Sequence, residues 1–412
     1  MNRNRLIAAA FAAALMPAAV AAQSVRVAHI DPFSGAFANV GALNGMHVEY
    51  GAALVNQSGG VLGGRQLEVI RFDNNANPQD AVVVLQEAID QGIRIITQAT
   101  NSGIALAVQE AIVRHNRRNP DDPVLYLNYG SADPSLTRDH CDYYSFRFEV
   151  HSGMKQLAIV DAIAANPEID SVYIIGQDYS HGHEVSRYTR AYLAERRPDI
   201  EVVGDEFHPV GRVRDFTPYI ARIQASGADA VITGNFGTDL SLLIRAANEG
   251  GLTSTIYTQY ASTFGAPTAI GPDGIGRVID TAHWTPDVWL THNTEAGRQL
   301  VEDFERTYNA EIGSYQILVQ MQMLGAAINA AGSDNPTQIA AALSGATFDA
   351  VTGPVMMRES DHQLLHPLFV SVFTDEGITN DSEGTGIGWR TLREIPASEL
   401  SDDSTCQVSV PG

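Results

Sequence analysis

The sequence predicts an α/β protein made of two consecutive units, each a parallel sheet covered by helices on both faces. Three observations carry this reading. Short apolar strands alternate with amphipathic helices; the rhythm restarts near residue 171; and about 390 residues beyond a basic, then apolar leader exceed what one core ordinarily holds.

The elements follow in order. "SVRVAHI" is a strand that runs into the turn Asp31-Pro32-Phe33-Ser34-Gly35, where Phe33 is a candidate ligand contact. "NGMHVEYGAALVNQSGG" is a helix stopped by Gly59-Gly60. "QLEVIRFDN" is the next strand, and "NPQDAVVVLQEAIDQG" a helix with Asn77 as cap, Pro78 in its first turn and Gly92 at its end. "IRIITQA", the helix "NSGIALAVQEAIVRHNRRN" and the strand "VLYLNYG" complete the first run. The second run reads strand "SVYIIGQD", helix "GHEVSRYTRAYLAERRP", strand "EVVGDEFHPV" and helix "FTPYIARIQASG". "ADAVITGNFG", "TDLSLLIRAANEGG" and "STIYTQY" continue it, and two helices follow, "TEAGRQLVEDFERTYN" and "SYQILVQMQMLGAAINAAG". No low-complexity tether separates the units, so short strands should join them.

Residues 1–22 fit a cleavable export signal. Arg3 and Arg5 form the charged end, Leu6 to Met16 the apolar stretch, and Val20-Ala21-Ala22 a small-residue cleavage site. A membrane anchor would need about 20 uninterrupted apolar residues, and Pro17 interrupts this run. Gln23 stands where a lipid-anchored protein would have cysteine. The formal charge is −22, with one lysine (Lys155) beside 25 arginines. So acidic a surface repels nucleic acid and anionic lipid and argues against both as partners. Cys141 and Cys406 are the only cysteines; in an exported chain they read as a disulfide that closes a long loop, stabilising by ~5 kcal/mol at most in the chain-entropy account. They are too far apart in sequence to suggest a metal site.

Catalytic motifs are missing. With its one lysine in "HSGMKQL" the chain has no P-loop, and "SGGVLGG" lies between a helix and a strand, the reverse of a dinucleotide site. No Gly-x-Ser-x-Gly elbow occurs. His181, His183 and Glu184 in "SHGHEVS" invite a metal reading, but their spacing differs from the i, i+4 pair of zinc hydrolases. Their place at a strand end suits ligand contact or capping better. The weight moves from catalysis to binding. Trp284, Trp289 and Trp389 read as core packing.

Several stretches resemble one family. "DPFSGAFANVG", "NQSGGVLGGRQLEVIRFDNNANPQDAVVVLQEAIDQGI", "NYGSADPSLT", "GQDYSHGHEVS" and "DFTPYIARIQASGADAVITGNFGTDLSLLIRAANEGGL" are together similar to the periplasmic solute-binding proteins of ABC importers for branched-chain amino acids. The resemblance runs from Val25 to beyond Phe373. It implies the type I periplasmic-binding fold: two Rossmann-like lobes joined by three crossings, placed here near residues 150, 282 and 353. Lobe 1 is then 23–150 with 283–353, and lobe 2 is 151–282 with 354–412, including the C-terminal tail. It also implies a monomer without cofactor, which clamps a small molecule between the lobes and presents it to a permease of the inner membrane.

Local chemistry suits such a cleft. Asn101, Ser102 and Gly103 stand where a strand passes into a helix, and free amides with a hydroxyl there suit an anion, although a helix cap alone would use the same residues. The resemblance implies that Ser102 and the backbone of Gly130-Ser131-Ala132 hold the ligand carboxylate. Ala132 replaces the threonine of amino-acid binders, so one hydroxyl is missing. From the second lobe the matching aromatic positions are His181 and Phe236, with Tyr179 nearby; Phe236 could also be simple core. Tyr260 is the most informative departure, because amino-acid binders carry a glutamate there that pairs with the ligand's ammonium. A buried ammonium without a counter-charge would cost several kcal/mol. A carboxylate without an α-amino group is therefore expected, and the four rings suggest a benzoate- or cinnamate-like acid. The tail "MMRESDHQLLHPLFVSVF" and the two cysteines are likewise similar to the branch that binds lignin-derived aromatic acids. A branched-chain amino acid, a sensory role on the same fold and an exported enzyme are the alternatives.

Overall fold

The computed structural model describes residues 24–262, 266–285, 287–288, 292, 294–378, 381, 383–400 and 404–410. The expected export signal (1–22) and Trp289 lie outside them.

Two sheets repeat one plan. The first has five parallel strands, β1 (Val25–Asp31), β2 (Leu67–Asp73), β3 (Ile95–Thr97), β4 (Leu125–Asn128) and β5 (Ser145–Arg147), in the order β2-β1-β3-β4-β5. The second begins with β6 (Ser171–Gln177), β7 (Glu201–His208), β8 (Ala230–Thr233), β9 (Thr255–Thr258) and β10 (Val278–Ala282), again parallel and in the matching order β7-β6-β8-β9-β10. β3, β4 and β8 are buried along their whole length, as sheets covered on both faces require. A small antiparallel sheet follows, β11 (Thr347–Ala350), β12 (Gly353–Met357) and β13 (Leu364–Leu365). β14 (Leu368–Thr374) and β15 (Gly388–Ile395) then add to the second sheet as antiparallel strands beside β10. That antiparallel edge is a departure from the all-parallel expectation.

Helix ends obey local chemistry. The Asn77 side chain accepts from the amides of Gln79 and Asp80 and opens the helix Pro78–Asp90. Gly182, in the helix Ser180–Arg196, lies so close to β6 that a Cβ there would stand 2.0 Å from the Gln177 carbonyl oxygen.

The chain leaves the first sheet after β5 and returns to the first core after β10, where the helix Tyr315–Ala331 packs with β1 and β3 side chains. The third crossing differs from the expected place near residue 353. Val355, Met357 and Leu364 pack in the first core, and Gln363 bridges in parallel to Arg147 at the end of β5. The chain reaches the second core at Leu365, just before β14. The tail also returns to the first lobe: Cys406 is bonded to Cys141, and the Val408 amide donates to the Ser360 carbonyl at 2.8 Å. Val355, Met357, Leu364 and Cys406 thus pack with lobe 1, where the crossing expected near residue 353 would assign them to lobe 2. Trp284 and Trp389 are buried against Tyr315 and Phe373.

Candidate functional site

In each sheet the strand order reverses beside the first strand, between β1 and β3 and between β6 and β8. A crevice opens outside the carboxyl ends of the strands at such a point. The two crevices face each other across a cleft of about 290 Å³ lined from both lobes. The lobes touch at its mouth, where the Phe37 ring stacks on Phe236 with centroids 5.2 Å apart. Arg138 Nη1 also donates to the Tyr188 hydroxyl at 3.2 Å across the lobes.

Nine of the residues singled out in the sequence line this cleft: Asn101, Ser102, Gly130, Ser131, Ala132, Tyr179, His181, Phe236 and Tyr260. Two do not. Phe33 stands edge-on to His29 at 5.2 Å, below the Arg71 guanidinium, and its amide donates to Asp73. Gly103 is exposed, and its amide is taken by the Asn101 side chain at 2.9 Å.

On the first-lobe wall the helix Ser102–Arg118 begins at Asn101, which is held at φ 74°. A non-glycine residue there is strained, a condition typical of ligand clamps. Asn101 spends its side chain as the cap. Asn128 Oδ1 likewise takes the amides of Gly130 and Ser131, and the Ser131 hydroxyl donates to the Ala99 carbonyl. Ser131 is therefore committed to the fold, contrary to the expectation that it holds the ligand. Among the described residues no protein acceptor takes the Ser102 hydroxyl or the amides of Ser102 and Ala132. Free donors at a helix N-terminus suit an anion.

The opposite wall is aromatic. The Tyr179 and Phe236 ring centroids are 6.3 Å apart, Phe236 and Tyr260 6.2 Å, and His181 and Tyr260 6.0 Å. Burial lowers the His181 imidazole to about 4, against the pull of Glu149 and Asp133, so it is neutral at neutral pH. Burial also raises the phenols of Tyr179 and Tyr260 well above their ordinary value. His183 and Glu184 pair instead with Asp178 and Arg187 at the surface. No group of three metal-ligating side chains occurs among the described residues.

Sequence reasoning missed a charged cluster in the floor. Glu149 and Lys155 are both buried, with Lys155 Nζ 3.2 Å from Glu149 Oε1 and 4.0 Å from the Tyr260 ring centroid. His283 Nε2 reaches Glu149 Oε1 at 2.5 Å, and Gln316 Nε2 donates to Glu149 Oε2 at 3.3 Å. Burial would raise the Glu149 carboxyl, but Lys155 and His283 outweigh it and hold it near 2. The available signal was the solitary lysine itself.

Two α/β lobes that line one cleft with a polar shelf and an aromatic wall define a small-molecule binding protein. The profile of the family described as "Periplasmic binding protein" matches residues 24–377, and the chain belongs to that family. It is similar to the Leu/Ile/Val-binding protein homolog 4 of Brucella abortus (strain 2308), 29% identical over 96% of this chain and 95% of the relative. Among solved structures, the leucine-, isoleucine-, valine-, threonine- and alanine-binding protein from Brucella ovis, in a closed conformation, superposes with a TM-score of 0.83. That structure is 28% identical and covers 95% of this chain and 100% of its own. A solute-binding protein of an ABC transporter from R. palustris in complex with benzoate shares the fold, at a TM-score of 0.77, 19% identity, and 93% and 100% coverage. These relatives are named as binding proteins. No helix among the described residues is long and apolar enough to cross a membrane.

Proposed function

We propose that the chain is the exported substrate-binding component of an ABC importer, which captures a small carboxylate and presents it to permease subunits in the inner membrane. The ligand is an aromatic acid of the benzoate or cinnamate kind, held in the periplasm by a monomer whose residues 1–22 are removed. One observation carries this reading: free hydrogen-bond donors at Ser102 and Ala132 face the rings of Tyr179, Phe236 and Tyr260 across one small cleft. A carboxylate docks on the first lobe, and the rings of the second then cover the apolar body and expel water. Because both lobes touch the ligand, its contacts favour the closed state.

A branched-chain amino acid is the second reading, favoured by a carboxylate in the cleft, Glu149, that could meet an ammonium. That carboxylate is already engaged by Lys155, His283 and Gln316, which ranks this reading below the first.

Thermal denaturation with benzoate, cinnamate, leucine, isoleucine and valine separates the two. An aromatic acid at one hundred times its Kd should stabilise the fold by about 2.7 kcal/mol. Stabilisation by leucine, with no effect of any aromatic acid, would refute the aromatic reading.

A further inference from the structure

The Lys155–Glu149 pair borders the anion shelf. The Gln316 side-chain amide bridges Glu149 Oε2 at 3.3 Å to the Tyr129 carbonyl at 3.2 Å, one residue before Gly130. Ser152, three residues before Lys155 on the same helix, donates both its amide (2.7 Å) and its hydroxyl (2.8 Å) to the Ala132 carbonyl. A ligand whose carboxylate docks at Ser102 and Ala132 therefore shares its cleft with the Lys155 ammonium.

That ammonium is incompletely used. It has one ion pair, to Glu149, and one face contact, to the Tyr260 ring; among the described residues no other protein acceptor meets it, and it lines the cleft. Gln259 lines the same cleft, is 1% exposed, and has neither end of its side-chain amide hydrogen-bonded. A buried amide in this condition implies a partner from outside the fold. Glu149, by contrast, has a donor on each oxygen. The floor thus offers N–H donors and a positive charge, and its one negative charge is already engaged.

We propose that Lys155 is a specificity-determining residue: it selects acids whose position next to the carboxylate carries an oxygen or no polar group, and rejects those carrying an ammonium. The protein supplies from its own chain the ammonium that an amino acid would bring. Two like charges side by side in a desolvated cleft repel strongly, whereas a keto or hydroxyl oxygen accepts from Lys155 and Gln259. The inference rests on the carboxylate reading above and adds 2-oxo and 2-hydroxy acids to the aromatic acids that the cleft admits.

Titration calorimetry of the whole mature protein tests it with paired ligands that differ only at this position: phenylpyruvate against phenylalanine, and 4-methyl-2-oxopentanoate against leucine. In the unaltered protein each oxo acid should bind at least tenfold more tightly than its amino partner. Lys155→Met should shift the ratio towards the amino acid, because the repelling ammonium is gone and Glu149 loses its lysine partner while keeping its negative charge. Should that single variant fail to fold with Glu149 stranded, the Glu149→Gln/Lys155→Met double variant removes both charges and should bring the ratio within threefold of unity. The proposal is overturned if the unaltered protein binds the amino partner as tightly as the oxo acid, or if the folded double variant keeps the tenfold preference. Either result would leave the carboxylate reading standing. Failure of all four acids and of benzoate to bind would instead remove the functional reading itself, and this inference with it.

Discussion

Ser102 concentrates the residue-scale argument. Its side chain is buried, it opens a helix, and its hydroxyl has no protein partner among the described residues, so a ligand carboxylate would take it. A hydrogen bond to a charged group contributes about 1.5–3 kcal/mol. Ser102→Ala should therefore weaken binding of the best acid by ~10- to 100-fold with little change in the melting temperature of the free protein. An unchanged Kd by calorimetry would assign Ser102 to capping alone. Ser102 and Phe236 were legible because each follows a strand at a position where the order of the sheet reverses. Phe33 shares that position after β1 and still misses the cleft, because its ring is taken by His29 and Arg71, contacts made by residues that no local pattern links. Lys155 and Glu149 escaped for a related reason. Their meaning lies in a pairing across the point where the chain changes lobe, which follows neither helix nor strand period.

At the scale of elements, strands and helices alternate through both sheets as their apolar runs and their glycine and asparagine stops suggested. The helix Pro78–Asp90 begins and ends where Asn77 and Gly92 placed it, within two residues. What local pattern could not show is partnership. β12 carries no local pattern that names its lobe, and Val355, Met357 and the Gln363 bridge to Arg147 attach it to the first. The third crossing is displaced for that reason. The same holds for β14, whose seven buried residues suit either direction beside β10 and adopt the antiparallel one. The disulfide was legible from cysteine count and export, but not that it pins the tail to lobe 1. With a sequence separation of 265 it closes the tail over the β13 region that precedes the last crossing.

At the scale of the whole molecule, five buried titratable groups contribute to the response to acid. Burial lowers the imidazoles of His47, His181 and His362 to about 4 and that of His366 to about 3. The unfolded chain binds protons at these histidines from about pH 6.5 downwards, and the folded one only near 4 or below. Each therefore removes stability as pH falls through that window, by up to about 1.4 kcal/mol per pH unit. Glu149, held near 2, contributes stability that is complete above the unfolded carboxylate range and is lost as pH drops from about 4.3 through 2. Urea unfolding at pH 7, 5.5 and 4.5 should give a falling free energy at each step. A flat or rising profile would mean that these imidazoles are hydrated and not buried in the fold.

The most direct measurement is a crystal structure of the protein with the acid that stabilises it most. The account predicts closed lobes, the carboxylate on the Ser102 hydroxyl and the Ala132 amide, and the ligand body against Tyr179 and Phe236. An acid bound outside this cleft, or held by one lobe while the other stands away, would contradict it.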